Sequence, residues 1–143
     1  MIAVTDIAFV RYRAPDLNQM AAFYEDFGMQ KVAQTEDTLH MRGFGAAPYL
    51  VSVERGEAAN LGMGFYASSA ADLEKLAREQ NAAIQQSTAP GGGQFVRLKD
   101  PCGFDIDVVH GFQAAQPLAQ RVSTPGNTAV KRERFGAVVR SKP

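Results

Sequence analysis

The sequence predicts an α+β fold: two βαβββ modules forming one domain with a concave ligand cavity, followed by an extended C-terminal arm. Three observations predict it. A strand, a helix and three further strands are legible twice, over about 4–56 and 60–111. "APDL" (14–17) and "AADL" (70–73) stand at matching points 56 residues apart. Hydrophobic patterning then stops after Gly111. Each module lays one helix on one face of a sheet, and the two sheets leave a concave face between them where a ligand can sit.

The elements follow in order. "DIAFVRYRAPDL" alternates as a strand, with Ile7, Phe9, Arg11 and Arg13 on one side and Ala8, Val10 and Tyr12 on the other. Pro15 stops it and Asp16 is placed to cap a helix. Leu17, Met20, Ala21, Tyr24 and Phe27 form that helix's apolar face, and Gly28 closes it. Three short strands fit 29–35, 37–43 and 48–55, separated by Glu-Asp and Gly-Ala-Ala-Pro. In the second module 61–67 is strand-like, and Ser69 with Asp72 resembles a capping box ahead of Leu73, Leu76 and Ala77. Strands near 83–87, at 93–100 and within 100–111 complete it. "PGGG" (90–93) lacks the Lys and Ser/Thr of a phosphate loop and opens no helix, so it carries no phosphate role.

Composition narrows the function classes. Hydrophobic residues at 45% and charged residues at 21% place the chain among ordinary globular domains. Fifteen basic residues balance fifteen acidic ones, which gives no electrostatic reason to expect nucleic acid or an acidic membrane as partner. The balance is uneven: residues 1–111 carry nine Lys and Arg against fourteen Asp and Glu, and 112–143 carry six against one. That last stretch, with Lys131, Arg132 and Arg134, reads as a basic connector or arm. A single cysteine, Cys102, rules out a disulfide framework within one chain. With no apolar run of membrane-spanning length and no signal-like start, a cytoplasmic protein is expected.

The candidate chemistry gathers in "DPCGFDIDVVHG" (100–111). Asp105 and Asp107 share one strand face, while Phe104, Ile106 and Val108 take the other. Asp107 reads either as a general base or lone ligand, or as a carboxylate paired with Arg11 or Arg13. His40 either reaches the cavity as an acid or base or is a half-exposed strand residue. Tyr66, on the face of Gly62 and Gly64, either stacks on an aromatic ligand or fills the space the glycines leave. His110 reads as structural, and Cys102 has no histidine nearby in sequence to activate it.

A duplicated βαβββ chain with "APDLNQMAAFYEDFGM" early and "DPCGFDIDVVHG" late resembles the vicinal oxygen chelate superfamily of glyoxalases, bleomycin-resistance proteins and extradiol catechol dioxygenases. The resemblance covers roughly residues 5–111. "LHMRGFGAAPYLVSVERGE" (39–57) looks like the Leu-x-Arg-Gly hairpin of extradiol dioxygenases acting on catechols. "NTAVKRERFGAVVRSKP" looks like the connection leading in those enzymes to a second, metal-bearing domain.

The resemblance implies ligand positions on the first, fifth and eighth strands, which fall here at Phe9, Gly62 and Asp107. Fe(II) and hard divalent metals take O and N donors, typically two histidines and a carboxylate. A phenyl ring and a hydrogen stand where imidazoles belong, and no histidine lies in 58–70. The expectation is therefore a metal-free, non-catalytic N-terminal domain ending inside the interdomain connection. No cofactor is expected in this chain, and Fe(II) or Mn(II) only in a full-length two-domain protein. Its partners would be a second dioxygenase domain or further copies, met through the sheet edge and the C-terminal arm. The alternative is a stand-alone binding module of the bleomycin-resistance type, with a small aromatic or drug-like ligand among Phe9, Arg11, His40, Gly62, Tyr66, Asp105 and Asp107. A glyoxalase-type lyase or isomerase with ligands from two chains is a third possibility, against which Phe9 and Gly62 count.

Overall fold

A computed structural model describes residues 2–119. The chain runs β1 (Val4–Ala14), α1 (Leu17–Asp26), β2 (Gln30–Gln34), β3 (Thr38–Arg42), β4 (Val51–Arg55), β5 (Ala59–Ala67), α2 (Ala70–Glu79), β6 (Ile84–Gln86), β7 (Gln94–Lys99) and β8 (Asp105–His110). The order is βαβββ twice, as the sequence predicts.

Both helices start where their capping residues dictate. The Asp16 carboxylate accepts from the amides of Asn18 and Gln19, and the Ser69 hydroxyl accepts from the amide of Asp72. Gly28 then lets the chain turn back after α1 at φ 90°. Leu17 and Ala21 bury against Leu39, Met41, Val51 and Val53, with Met20 and Tyr24 packed on the margin. Leu73, Leu76 and Ala77 do the same against Val96 and Val108. Phe27 departs from the predicted apolar face. It is the C-cap, and 77% exposed, because the helix has already ended when the chain reaches it.

The eight strands form one continuous sheet, in the order β2-β3-β4-β1-β5-β8-β7-β6, rather than two separate sheets. The first strands of the two modules pair antiparallel, β1 with β5, and so merge the halves. Within each half the second, inner strand of the last hairpin returns parallel to the first, β4 beside β1 and β8 beside β5. The helices cover one face, and the other face carries a third cluster of Ala8, Phe9, Tyr49 and Val109.

The pairing of β1 with β5 is irregular between Ile7 and Phe9, where two steps along β1 meet one along β5. This breaks the predicted alternation. Ala8 and Phe9 are both buried, whereas Ile7, expected on the cavity side, is 56% exposed. Phe104, expected on the apolar face of the last strand, precedes β8 and is exposed in the turn.

Beyond Gly111 the described chain runs from the loop before β7 onto the connection between β3 and β4 of the first module. Gln113, Ala115 and Leu118 donate backbone hydrogen bonds to the carbonyls of Gly91, Ala46 and Phe44. Arg42 reaches the Gln116 carbonyl at 2.8 Å. The basic cluster Lys131, Arg132 and Arg134 lies outside the described residues. No helix among the described residues is long and apolar enough to cross a membrane.

Candidate functional site

The uncovered face of the sheet holds a cavity of about 630 Å³. Both modules contribute to it: Phe9 and Arg11 from β1, His40 from β3, Glu54 from β4, Arg97 from β7 and Asp107 from β8. Gln86 at the end of β6 and Thr88 in the turn after it form part of a polar wall.

Charged side chains run across the sheet in a ladder. Arg11 forks, with Nη2 donating to Glu54 Oε1 at 2.5 Å and Nη1 to Asp105 Oδ2 at 2.9 Å. Lys99 Nζ donates to Asp105 Oδ1 at 2.6 Å. Asp107, 2% exposed, receives Arg97 in bidentate fashion, Nε to Oδ1 at 2.7 Å and Nη2 to Oδ2 at 2.8 Å. Arg11 Nη1 stands 3.5 Å from Asp107 Oδ2. Arg97 also lies over the Phe95 ring at 5.3 Å, which fixes its plane. Burial alone would push the Asp105 carboxyl up, but the hydrogen bonds from Lys99 and Arg11 and the charge of Arg97 together hold it below the usual aspartate value.

Of the two arginines expected beside Asp107, Arg11 does pair with it, but the main partner is one the expectation does not include. Arg97, not Arg13, makes the main pair, and Arg11 assists. Arg97 sits directly opposite Asp107 in the β7–β8 ladder. Its alternation with Phe95 in "GQFVRLKD" is the signal that could have found it.

The glycine that matters is also displaced. Phe9 pairs with Gly64, and Gly64 with Asp107, so these three positions form one row across β1, β5 and β8. A Cβ on Gly64 would stand 2.5 Å from the Phe9 ring. The ring thus occupies the space that Gly64 leaves. Gly62 lies in the next row, between Arg11 and Asp105, at φ 139°. A Cβ there would fall onto the Asp105 backbone, so Gly62 does not face the cavity.

His40 is 8% exposed and lines the cavity, which excludes the half-exposed reading. Its Nε2 lies 3.4 Å from the Ser52 hydroxyl, and its Nδ1 is buried without a partner. Burial lowers its pKa, so the ring is neutral near pH 7. Tyr66 does not line the cavity and instead meets Phe112 edge-on at 6.0 Å. Asp105 lies beside the cavity, bound to Arg11 and Lys99.

Two aromatic residues of the site are not among the sequence candidates, although Tyr49 falls in the stretch read as a strand over 48–55. Tyr49, in the loop before β4, is 4% exposed, and its ring lies 4.9 Å from Phe9 and 5.0 Å from His40. Burial and then the Asp107 charge push its hydroxyl pKa far up, so it stays a neutral donor. Phe112, just past β8, stacks on Phe9 at 6.1 Å.

As a donor set for a metal, the row Phe9–Gly64–Asp107 offers one carboxylate, whose two oxygens already receive Arg97. Among the described residues no three His, Cys, Asp or Glu side chains cluster to hold an ion. These residues do not fit a two-histidine, one-carboxylate centre.

A sequence model of the Glyoxalase/Bleomycin resistance protein/Dioxygenase superfamily matches residues 6–108. No curated protein matches the chain by sequence. Among solved structures, the chain is similar to the Mn(II)-bound glyoxalase from Novosphingobium aromaticivorans (TM-score 0.75, 22% identity, 84% of this chain and 43% of that one). It is also similar to homoprotocatechuate 2,3-dioxygenase from Brevibacterium fuscum in complex with 3,4-dihydroxyphenylacetate (TM-score 0.70, 21% identity, 82% and 40%). The Arthrobacter globiformis homoprotocatechuate 2,3-dioxygenase gives TM-score 0.68 and 22% identity over 82% and 39%. At these identities the likeness is one of fold, and the chain spans about two fifths of each of these proteins.

Proposed function

The chain belongs to the Glyoxalase/Bleomycin resistance protein/Dioxygenase superfamily, and from that membership we propose that it is the non-catalytic N-terminal domain of an extradiol, catechol-type dioxygenase-like protein. In this reading the chemistry resides in a second domain that binds Fe(II) or Mn(II), and this chain holds no metal. Its task is architectural, offering the sheet edge and the C-terminal arm to a second domain or to further copies of itself in the cytoplasm.

The observation that carries this reading is the bidentate Arg97–Asp107 pair beside Phe9 and Gly64. A guanidinium occupies the carboxylate that a metal would need, and the two neighbouring positions supply no donor. The dioxygenase neighbours, of which the chain spans about two fifths, give the reading its larger context.

The test is direct. The purified chain is incubated aerobically with 3,4-dihydroxyphenylacetate and either Fe(II) or Mn(II), and no yellow ring-opened product is expected. Metal-dependent ring opening by this chain would overturn the reading. The coding sequence beyond Pro143 is expected to continue into a further βαβββ repeat carrying His, His and Glu.

A second reading rests on the cavity itself. Its 630 Å³ lies within the range of small-molecule sites, and its walls combine aromatic rings with hydroxyl and amide groups. This favours a metal-free binding module for a small aromatic or drug-like ligand, as a role alongside or instead of the architectural one.

A further inference from the structure

The cavity's electrostatics say what kind of molecule it takes. Among the described residues its charged lining consists of Arg11, Arg97, Glu54 and Asp107, two cations against two anions. Each is engaged with another member of the ladder, and the adjoining Asp105 is matched by Lys99. His40 is neutral. A ligand bearing a net charge would lose its hydration here without meeting an unmatched countercharge, and one sign would press against Asp107, the other against Arg97.

Hydrogen-bonding capacity is nevertheless left over. The Tyr49 hydroxyl has no side-chain or backbone partner among the described residues, although the residue is 96% buried and lines the cavity. Arg97 uses two of its five N–H groups on Asp107, while Phe95 and that bidentate pair hold its plane still. His40 Nδ1 is a further unsatisfied group in the wall. The rings of Phe9, Tyr49 and Phe112 lie within 6.1 Å of one another and make an apolar floor beside these donors.

We propose that the cavity is a metal-free site for a neutral, planar aromatic molecule bearing a hydroxyl or carbonyl oxygen, its ring on Phe9, Tyr49 and Phe112 and its oxygen on the Tyr49 hydroxyl and the Arg97 guanidinium. This rests on the second reading above, that the cavity binds a ligand, and adds the ligand's charge and its two anchors.

Three naphthalenes of one skeleton test it: neutral 2-naphthol, anionic 2-naphthoate and cationic 2-(aminomethyl)naphthalene, titrated into the purified chain at pH 7 by calorimetry. The expected result is saturable one-to-one binding of 2-naphthol, at least about tenfold tighter than either ion. Tyr49→Phe, checked for folding by circular dichroism, is expected to weaken 2-naphthol about tenfold and leave the ions unchanged. If either ion binds as tightly as 2-naphthol, the neutral class is wrong while the binding reading stands. If 2-naphthol binds the variant as well as the native chain, the anchor is wrong. If none of the three binds saturably, the binding reading itself fails.

Discussion

Arg11 and Asp105, 94 residues apart, are hydrogen-bonded at 2.9 Å although a whole strand separates them. Arg11 sits on β1 and Asp105 on β8, with β5 between, and both are register neighbours of Gly62. Two strand spacings amount to about 9.5 Å. The long Arg11 side chain spans that distance over Gly62 to bring its guanidinium onto the Asp105 carboxylate. The bond therefore ties the first strand of one module to the last strand of the other, over the seam where the sheet halves merge.

Arg11→Met tests this tie. Arg11 is 6% exposed, and its removal leaves Glu54 and part of Asp105 without their partner close to buried Asp107. Breaking a buried ion pair from one side costs about 3 kcal/mol. Lys99→Met, which removes an exposed partner of the same Asp105, is expected to cost under about 1 kcal/mol. Urea unfolding of the two variants measures the difference, and equal losses would mean that the crossing bond carries no special weight.

The Phe9–Gly64 contact gives a second prediction. Gly64→Ala drives a methyl into the Phe9 ring and is expected to destabilise by about 1–3 kcal/mol. Shortening the ring with Phe9→Leu makes room for that methyl. The double variant should then be more stable than the sum of the single losses, with a coupling of about 1 kcal/mol in a double-mutant cycle. Strict additivity would show that the two positions do not share space.

This row also marks how far the sequence could be read. Both helices, their caps at Asp16 and Ser69 and the eight strands in order follow from local pattern, since capping and alternation are local effects, whereas Phe9 and Asp107 come as site positions from the family resemblance and His40 in the cavity as one of two open readings. The choice between Gly62 and Gly64 is not local. It depends on the register of β5 against β1, which the irregularity between Ile7 and Phe9 shifts. The partner of Asp107 depends likewise on the β7–β8 register, and the merging of the halves depends on β1 meeting β5. Tyr49 falls inside the stretch read as a strand over 48–55, but β4 begins only at Val51, so the preceding loop and not strand alternation places its ring, and Phe112 lies past the end of β8.

Acid should destabilise the protein in two stages. The His40 pKa is lowered by burial, so between its folded value and the unfolded value of about 6.5 the unfolded chain binds the extra proton. Stability attributable to His40 is full above about pH 6.5 and falls as pH drops through that window. The Asp105 pKa is also lowered, so its contribution persists down to about pH 4 and is lost below that. His40→Leu is expected to flatten the profile between pH 7 and 5 while leaving the lower limb intact. A thermal-unfolding series from pH 8 to pH 3 on both proteins separates the stages, and an unchanged upper limb in the variant would assign it to another group.

The last prediction rebuilds what the row lacks. Directly paired positions on neighbouring strands place their Cβ atoms about 5 Å apart on one face. Phe9→His with Gly64→His would therefore set two imidazoles beside Asp107, and Arg97→Leu would free both carboxylate oxygens. With Mn(II) at a hundredfold excess over its Kd, binding to the folded state alone adds about 2.7 kcal/mol, read as a rise in Tm. The native chain is expected to show no such rise, and adding Asp107→Asn to the triple variant should abolish it. Placing the second histidine at position 62 instead should also fail, because a side chain there meets the Asp105 backbone rather than the cavity. A Mn(II)-dependent shift in the position-62 variant but not in the position-64 variant would move the ligand row back to Gly62 and away from Asp107.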